Sequence, residues 1–312
     1  MADLSTLPTG NAMAWLQFKI ETSQQDAELW QERLEEVGAA AILLLDAGDQ
    51  PLLEPPPGAT PLWDHVIVNG IFTADSDVDA LAEFFVTHYG LDAQCYKTEL
   101  LEDKDWERAW MDHYHPMRFG SRLWVVPSWC PAPEPDAVNL LLDPGLAFGT
   151  GTHATTALCL EWLDSLELQG CTVIDYGCGS GILAIASLLL GAHQAIAIDN
   201  DPQALLATRD NAQRNGVADR LRVFAPDEVP ESVGPADVIV ANILAGPLIA
   251  LAPKLTSMLQ PGGRIALSGL IRSQVEDVQE AYEDSFLMEP ATVRDEDWCR
   301  LSGVRRHLSQ DH

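Results

Sequence analysis

The chain has 312 residues, with 47 acidic against 18 basic side chains and a formal net charge of −29. Such a surface repels phosphate and anionic headgroups, which excludes a nucleic-acid or membrane-surface binder that relies on general basic attraction. With 47% hydrophobic residues and nine tryptophans the chain is not disordered, and its length calls for two domains.

The first half reads as a small α+β unit. Residues 14–20 alternate as a strand, and 24–37 carry an apolar helical face that ends at Gly38. A short strand follows over 40–45, then a proline-rich loop over 50–61. The same order returns as strand 65–72, helix 77–89 and strand 93–100, so β-α-β occurs twice and predicts a ferredoxin-like sandwich. A helix over 105–114 connects this unit to the rest. Strands 123–126 and 138–142 flank the proline-rich stretch between them. From residue 153 onward strands and helices alternate: strand 172–176, helix 181–190, strand 194–198, helix 202–215, strands 221–224 and 237–241, helix 245–259, strand 264–268 and helix 273–284. The last pair, 286–293 and 298–304, predicts an antiparallel hairpin at the sheet edge. Alternation with short apolar strands predicts an α/β fold with a doubly wound, largely parallel sheet. The expected domains are therefore 1–104, a connecting segment 105–135, and a catalytic domain 136–312. Residues 1–116 carry 22 acidic and 5 basic groups, so the smaller unit is the more acidic per residue.

No two of the six cysteines are spaced as C-x-x-C, and no metal-ligand spacing is present. His113 and His115 read as structural or surface residues. There is no secretory leader pattern and no apolar run of 18 residues, which makes a cytoplasmic protein with reduced thiols the expectation.

The chemistry is carried by Val-Ile-Asp175-Tyr-Gly177-Cys-Gly179-Ser-Gly181, which closes a buried strand and opens a helix. Glycines let the backbone turn tightly and approach a ligand. Open α/β sheets bind nucleosides at such strand ends. Asp199 ends the next strand, 22 residues after Gly177, where a carboxylate accepts both ribose hydroxyls. The spacing G-x-G-x-G departs from the dinucleotide fingerprint, and Asp175 suits a cationic amino acid better than a pyrophosphate. Cys178 reads as a small filler in the loop. Asp-x-Gly-x-Gly-x-Gly with a second acid on the next strand resembles the class I S-adenosylmethionine-dependent methyltransferases, a Rossmann-like fold. Two further segments fit that resemblance. In residues 142–156 the glycines, Phe148 and the threonines read either as a helix cap at Thr152 or as a lid that stacks on the cofactor and meets its carboxylate. In residues 238–248, Asn242 ends a strand beside the loop, where amino-methylating enzymes of this fold often place Asn or Asp.

Taken in order, DPGLAFGTGTHATT, DYGCGSGILAIA, AIDNDP and NILAGPL are similar to the bacterial ribosomal protein L11 methyltransferase family, over residues 105–304. The resemblance implies trimethylation of the α-amino group and lysine side chains of the large-subunit stalk-base protein. It implies a small N-terminal domain that recognises this basic substrate and moves relative to the catalytic domain. The cofactor contacts it implies are Thr156, Gly177, Asp199 and Asn242, with Asp175, Gly179, Phe148 and Thr152 nearby and Asn242 as the catalytic residue. No metal, membrane or direct nucleic-acid partner is expected, and the protein is expected to be a monomer. The alternatives are a methyltransferase acting on another protein, a small molecule or an RNA amine, or an acidic cofactor-sensing binder that has lost catalysis. No general base is evident in the sequence.

Overall fold

The computed structural model describes residues 15–48, 61–101, 114–143, 149, 151–231, 233–295 and 297–307. The chain divides into two compact units, residues 1–113 and 114–312. The helix predicted over 105–114 lies almost wholly outside the described residues.

In the first unit, strands β1 (Trp15–Ser23), β2 (Ala41–Asp46), β3 (His65–Thr73) and β4 (Tyr96–Leu101) form one antiparallel sheet in the order β2-β3-β1-β4. Helices α1 (Ala27–Glu36) and α2 (Val78–Tyr89) bury Leu34 and Phe85 against Phe18, Ile20 and Val68. This is the predicted ferredoxin-like arrangement. Alternation decides the faces: along β1 Leu16, Phe18 and Ile20 are buried while their neighbours are half exposed. The Phe18 ring stacks on Tyr96 at 5.2 Å.

The second unit opens with β5 (Met117–Phe119), β6 (Leu123–Val126) and β7 (Val138–Leu141), a three-stranded sheet. Residues 117–135 therefore belong to this unit and are not merely a connector. Their anchor is Asp164 near the end of α3 (Ala154–Ser165), whose carboxylate accepts the backbone N–H groups of Ser121 (2.6 Å) and Arg122 (3.2 Å).

The main sheet contains β8 (Thr172–Tyr176), β9 (Gln194–Ile198), β10 (Leu221–Phe224), β11 (Ala236–Asn242) and β12 (Leu259–Ile271), all parallel, in the order β10-β9-β8-β11-β12. Helices α4 (Ile182–Leu189) and α5 (Pro202–Arg214) and helices α6 (Ala245–Met258) and α7 (Val275–Glu283) make the crossovers. Period-2 alternation sorts the strands onto two cores: Val173, Ala195, Ala197, Val238 and Val240 face one side, and Ile174, Ile196, Ile198, Ile239 and Ala241 the other.

The C-terminal strands form the antiparallel hairpin expected at the edge of the sheet, its outer strand in two pieces. β15 (Trp298–Arg305) lies inside the sheet, antiparallel to β12, and β13 (Phe286–Met288) and β14 (Thr292–Arg294) both pair with it. The stretch 286–293 breaks in two around Pro290, which has no N–H to give a ladder.

Candidate functional site

Strands β8, β9 and β11 all end at the same edge of the sheet, where their loops enclose a cavity of about 590 Å³. That volume lies within the ordinary range for small-molecule sites. Gly177, Asp199 and Asn242 line it, as the sequence predicted.

The glycine loop is held from several sides. Gly177 and Cys178 both donate their N–H to the Ile198 carbonyl, at 2.8 and 3.1 Å. On α5, Thr208 donates to the Gly179 carbonyl (3.0 Å) and Asn211 to the Ser180 carbonyl (2.9 Å). Asp199 Oδ2 accepts the Gly179 N–H at 2.8 Å, so the second acid fixes the loop as well as facing the cavity. Its Oδ1 accepts the Asp201 N–H at 3.0 Å. A carboxylate has about four lone-pair sites, so acceptor capacity remains for two hydroxyls. Gly177 is required by space as much as by backbone angle. Its φ is +80°, and an added Cβ would meet Ile243 Cγ2 at 2.1 Å.

Asp175 is placed differently from the expectation of a cofactor contact. It does not line the cavity; it is fully buried beneath the loop, where Oδ2 accepts the Ala184 N–H at 3.0 Å. Its Oδ1 is buried without a hydrogen-bond partner. Burial pushes this carboxyl from 3.8 up to about 7; the Ala184 bond opposes the rise and the Asp199 charge adds to it. Gly179 is half-buried and does not line the cavity. Burial also raises the Cys178 thiol far above its ordinary range, which removes it as a nucleophile at neutral pH.

The glycine–threonine segment approaches the loop from the other side. Ser180 Oγ donates to the Gly149 carbonyl at 2.6 Å. Phe148 falls outside the described residues. Thr152 is exposed and does not cap α3; His153 does, its Nδ1 accepting the Thr155 N–H at 3.3 Å. Thr156 is 1% exposed and reaches the site through Asn242, whose Nδ2 donates to Thr156 Oγ1 at 3.1 Å. With Nδ2 committed, Asn242 Oδ1 is the end of the amide left to accept.

Sequence reasoning missed several wall residues. Asn200 and Pro226 lie two residues beyond the ends of β9 and β10, so the strand-end rule signals them. Thr155, Gly269 and Trp298 carry no such signal. Trp298 arrives only because β15 pairs with β12, opposite Ile271.

The site fits S-adenosylmethionine. A walled apolar cavity has the acceptor Asp199 at the second strand end and Gly177, with no side chain to fill the space, in its wall. The orphaned Asp175 Oδ1 adds negative potential below the loop once ionised. Among the described residues no group of three or more His, Cys, Asp or Glu side chains is placed to hold a metal ion, and no helix is long and apolar enough to cross a membrane.

Comparison with known proteins agrees with this geometry. A family model described as Ribosomal protein L11 methyltransferase (PrmA) matches residues 14–306. The ribosomal protein L11 methyltransferases of Ectopseudomonas mendocina and Actinobacillus pleuropneumoniae are 55% and 53% identical over 295 residues, spanning 94% of this chain and all of each relative. A crystal structure of a ribosomal protein L11 methylase from Lactobacillus delbrueckii subsp. bulgaricus matches with TM-score 0.57 and 34% identity, covering 62% of this chain and all of that one.

Proposed function

The chain belongs to the ribosomal protein L11 methyltransferase family, and from that premise we propose that it methylates the α-amino group and lysine side chains of ribosomal protein L11, with Asn242 as the residue that holds the amine. It is an S-adenosylmethionine-dependent protein methyltransferase. When bound, S-adenosylmethionine supplies a methyl group on a positively charged sulfur.

The observation that carries the residue assignment is the Asn242 amide on the cavity wall, held from behind by Thr156. Thr156 holds the amide in one orientation, so Oδ1 accepts an amine N–H and aligns the nitrogen lone pair with the methyl carbon. Alignment of this kind supplies most of the rate in a reaction that needs little covalent help from the protein. Asp199 holds the ribose, and Gly177 lets the backbone pass close to the cofactor. Thr156 acts by positioning Asn242.

The amine must be neutral to react. At pH 7 an α-amine is roughly a tenth neutral and a lysine about 0.04%, a difference worth roughly 3 kcal/mol. A lysine target therefore needs more help from the site.

The net charge of −29 supports a basic protein as the substrate over RNA. The first unit, the more acidic per residue, is assigned to substrate recognition, with association that slows as salt is added. The enzyme is taken to act as a cytoplasmic monomer.

The test incubates the protein with labelled S-adenosylmethionine and unmethylated ribosomal proteins. Label on one small basic protein is expected; label on RNA alone, or none, overturns the reading. Asn242→Ala is expected to lower turnover while the protein stays folded. Full turnover with unchanged cofactor affinity would remove Asn242 from its role.

A further inference from the structure

Each methyl transfer replaces one N–H of the neutral amine with N–CH3, so the group that Asn242 grips is used up as methylation proceeds. We propose that Trp298 is the specificity residue for the stage that follows: its ring holds the dimethylated amine, which has no N–H when neutral, for a third transfer. The inference rests on the amine-methylating reading above.

The sheet sets the wall residues in a row. Along the order β10-β9-β8-β11-β12-β15 the cavity is lined in turn by Pro226, Asp199, Gly177, Asn242, Gly269 and Trp298. Neighbouring strands lie about 4.8 Å apart, so the strands of Asp199 and Trp298 flank that of Asn242 at roughly 10 Å on opposite sides. The cofactor sulfur is bonded to the ribose end, which Asp199 holds. In-line attack puts sulfur, methyl carbon and nitrogen in a row, with the amine at the end away from the sulfur. This places the amine between Asn242 and Trp298. Tyr176, the other aromatic of the wall, ends β8 and so stands on the ribose side of Asn242. Trp298 is half-buried, and its contact with the His153 ring, centroids 4.6 Å apart at 70°, occupies at most one indole face. Among the described residues that line the cavity none is Lys or Arg, so nothing in the wall repels a cation.

The third transfer suits an aromatic surface. The dimethylammonium first gives its proton to water. The nitrogen lone pair then forms the new N–C bond as the C–S bond breaks, and that pair stays on sulfur, now a neutral thioether. The positive charge moves from sulfur to a nitrogen that carries only carbon substituents and donates no N–H. A ring face attracts such a quaternary ammonium, and its apolar surface packs against the methyl groups. The first two transfers still offer an N–H to Asn242 and depend on the ring less.

The experiment follows purified, unmethylated ribosomal protein L11 with excess S-adenosylmethionine, reading each modified site by peptide mass spectrometry and fitting a rate to each transfer. Trp298→Leu keeps an apolar side chain without a ring, and Trp298→Phe keeps a ring. The variants are compared by the ratio of third to first rate, which a general loss of folded protein does not change. Trp298→Leu is expected to slow the third transfer about tenfold and the first under about threefold, so that dimethylated sites accumulate, with cofactor Kd as in the wild type. Trp298→Phe is expected to keep the third transfer within about threefold of the wild type. Equal slowing of all three transfers, no slowing of the third, or a Phe variant as slow as Leu at the third overturns the role of the ring. Wild-type protein that methylates L11 but stops at two methyl groups overturns the inference and leaves the amine-methylating reading standing. Wild-type protein that leaves L11 unmethylated overturns that reading, and the inference with it.

Discussion

At the amino-terminal edge of the main sheet, Asp237 is spent within the fold: Oδ2 accepts the Thr172 N–H at 2.7 Å and Oδ1 accepts Gln260 Nε2 at 2.6 Å. The groove beside it, about 330 Å³, is lined largely by polar groups. At the carboxyl-terminal edge, Asp199 also accepts two backbone N–H groups, yet it faces a cavity of about 590 Å³. Both edges use an aspartate at a strand end that accepts two hydrogen bonds and faces a groove, and the cavity at the carboxyl edge is the larger and the more apolar. The reason is directional. Crossover helices begin at the carboxyl edge, where unpaired N–H groups and glycine turns converge, and they end at the other. Asp237 ties strands together, whereas Asp199 ties the glycine loop that borders the larger cavity.

The largest effect expected from this contrast is on stability, through Asp175. Its carboxyl stays protonated in the fold up to about pH 7, while in the unfolded chain it ionises near 3.8. Between those values the unfolded state releases a proton that the folded state keeps, so stability falls as pH rises. The gap is worth about 4 kcal/mol, fully present below pH 4 and lost by about pH 7. Urea unfolding of the cofactor-free wild type and Asp175→Asn from pH 4 to 8 measures it. The wild type is expected to lose stability relative to the variant across that window, and parallel curves would show that burial does not set this carboxyl.

Next in size, Asp199→Ala is expected to weaken S-adenosylmethionine binding by roughly 1–3 kcal/mol, because a charged acceptor and the Gly179 anchor go together. Calorimetry reads this directly, and an unchanged Kd would remove the ribose role. The smallest effect sharpens the comparison from the closed edge. Asp237→Asn turns one satisfied acceptor into a donor and is expected to cost about 1–2 kcal/mol of stability with cofactor affinity untouched. If cofactor affinity changed too, the two edges would not be separable.

Much of this was legible in the chain. Strand periodicity, the glycine spacing and the acid at the next strand end predicted the carboxyl-edge site, because those signals are local. The N-cap of α3 was misread. Thr152 is the commoner capping type, but the His153 ring holds that place through Thr155 and Trp298. The sequence showed Asp175 as an acid at the loop's start, but not that α4 would cover it and leave one oxygen buried without a partner. Asn242 was legible as the residue that ends a strand beside the loop; its link to Thr156, 86 positions away, was not.

By itself, then, the sequence determined the two-part α/β architecture and the residues at the strand ends, since hydrophobic period and backbone freedom act within a few residues. It also determined the acidic surface, which needs no fold. Only the tertiary structure decided where β15 inserts, and hence that Trp298 enters the cavity wall. It also decided that Asp175 stands behind that wall rather than in it. These depend on pairings between segments far apart in the chain, and burial, hydrogen bonding and proton affinity are properties of the packed neighbourhood rather than of the residue.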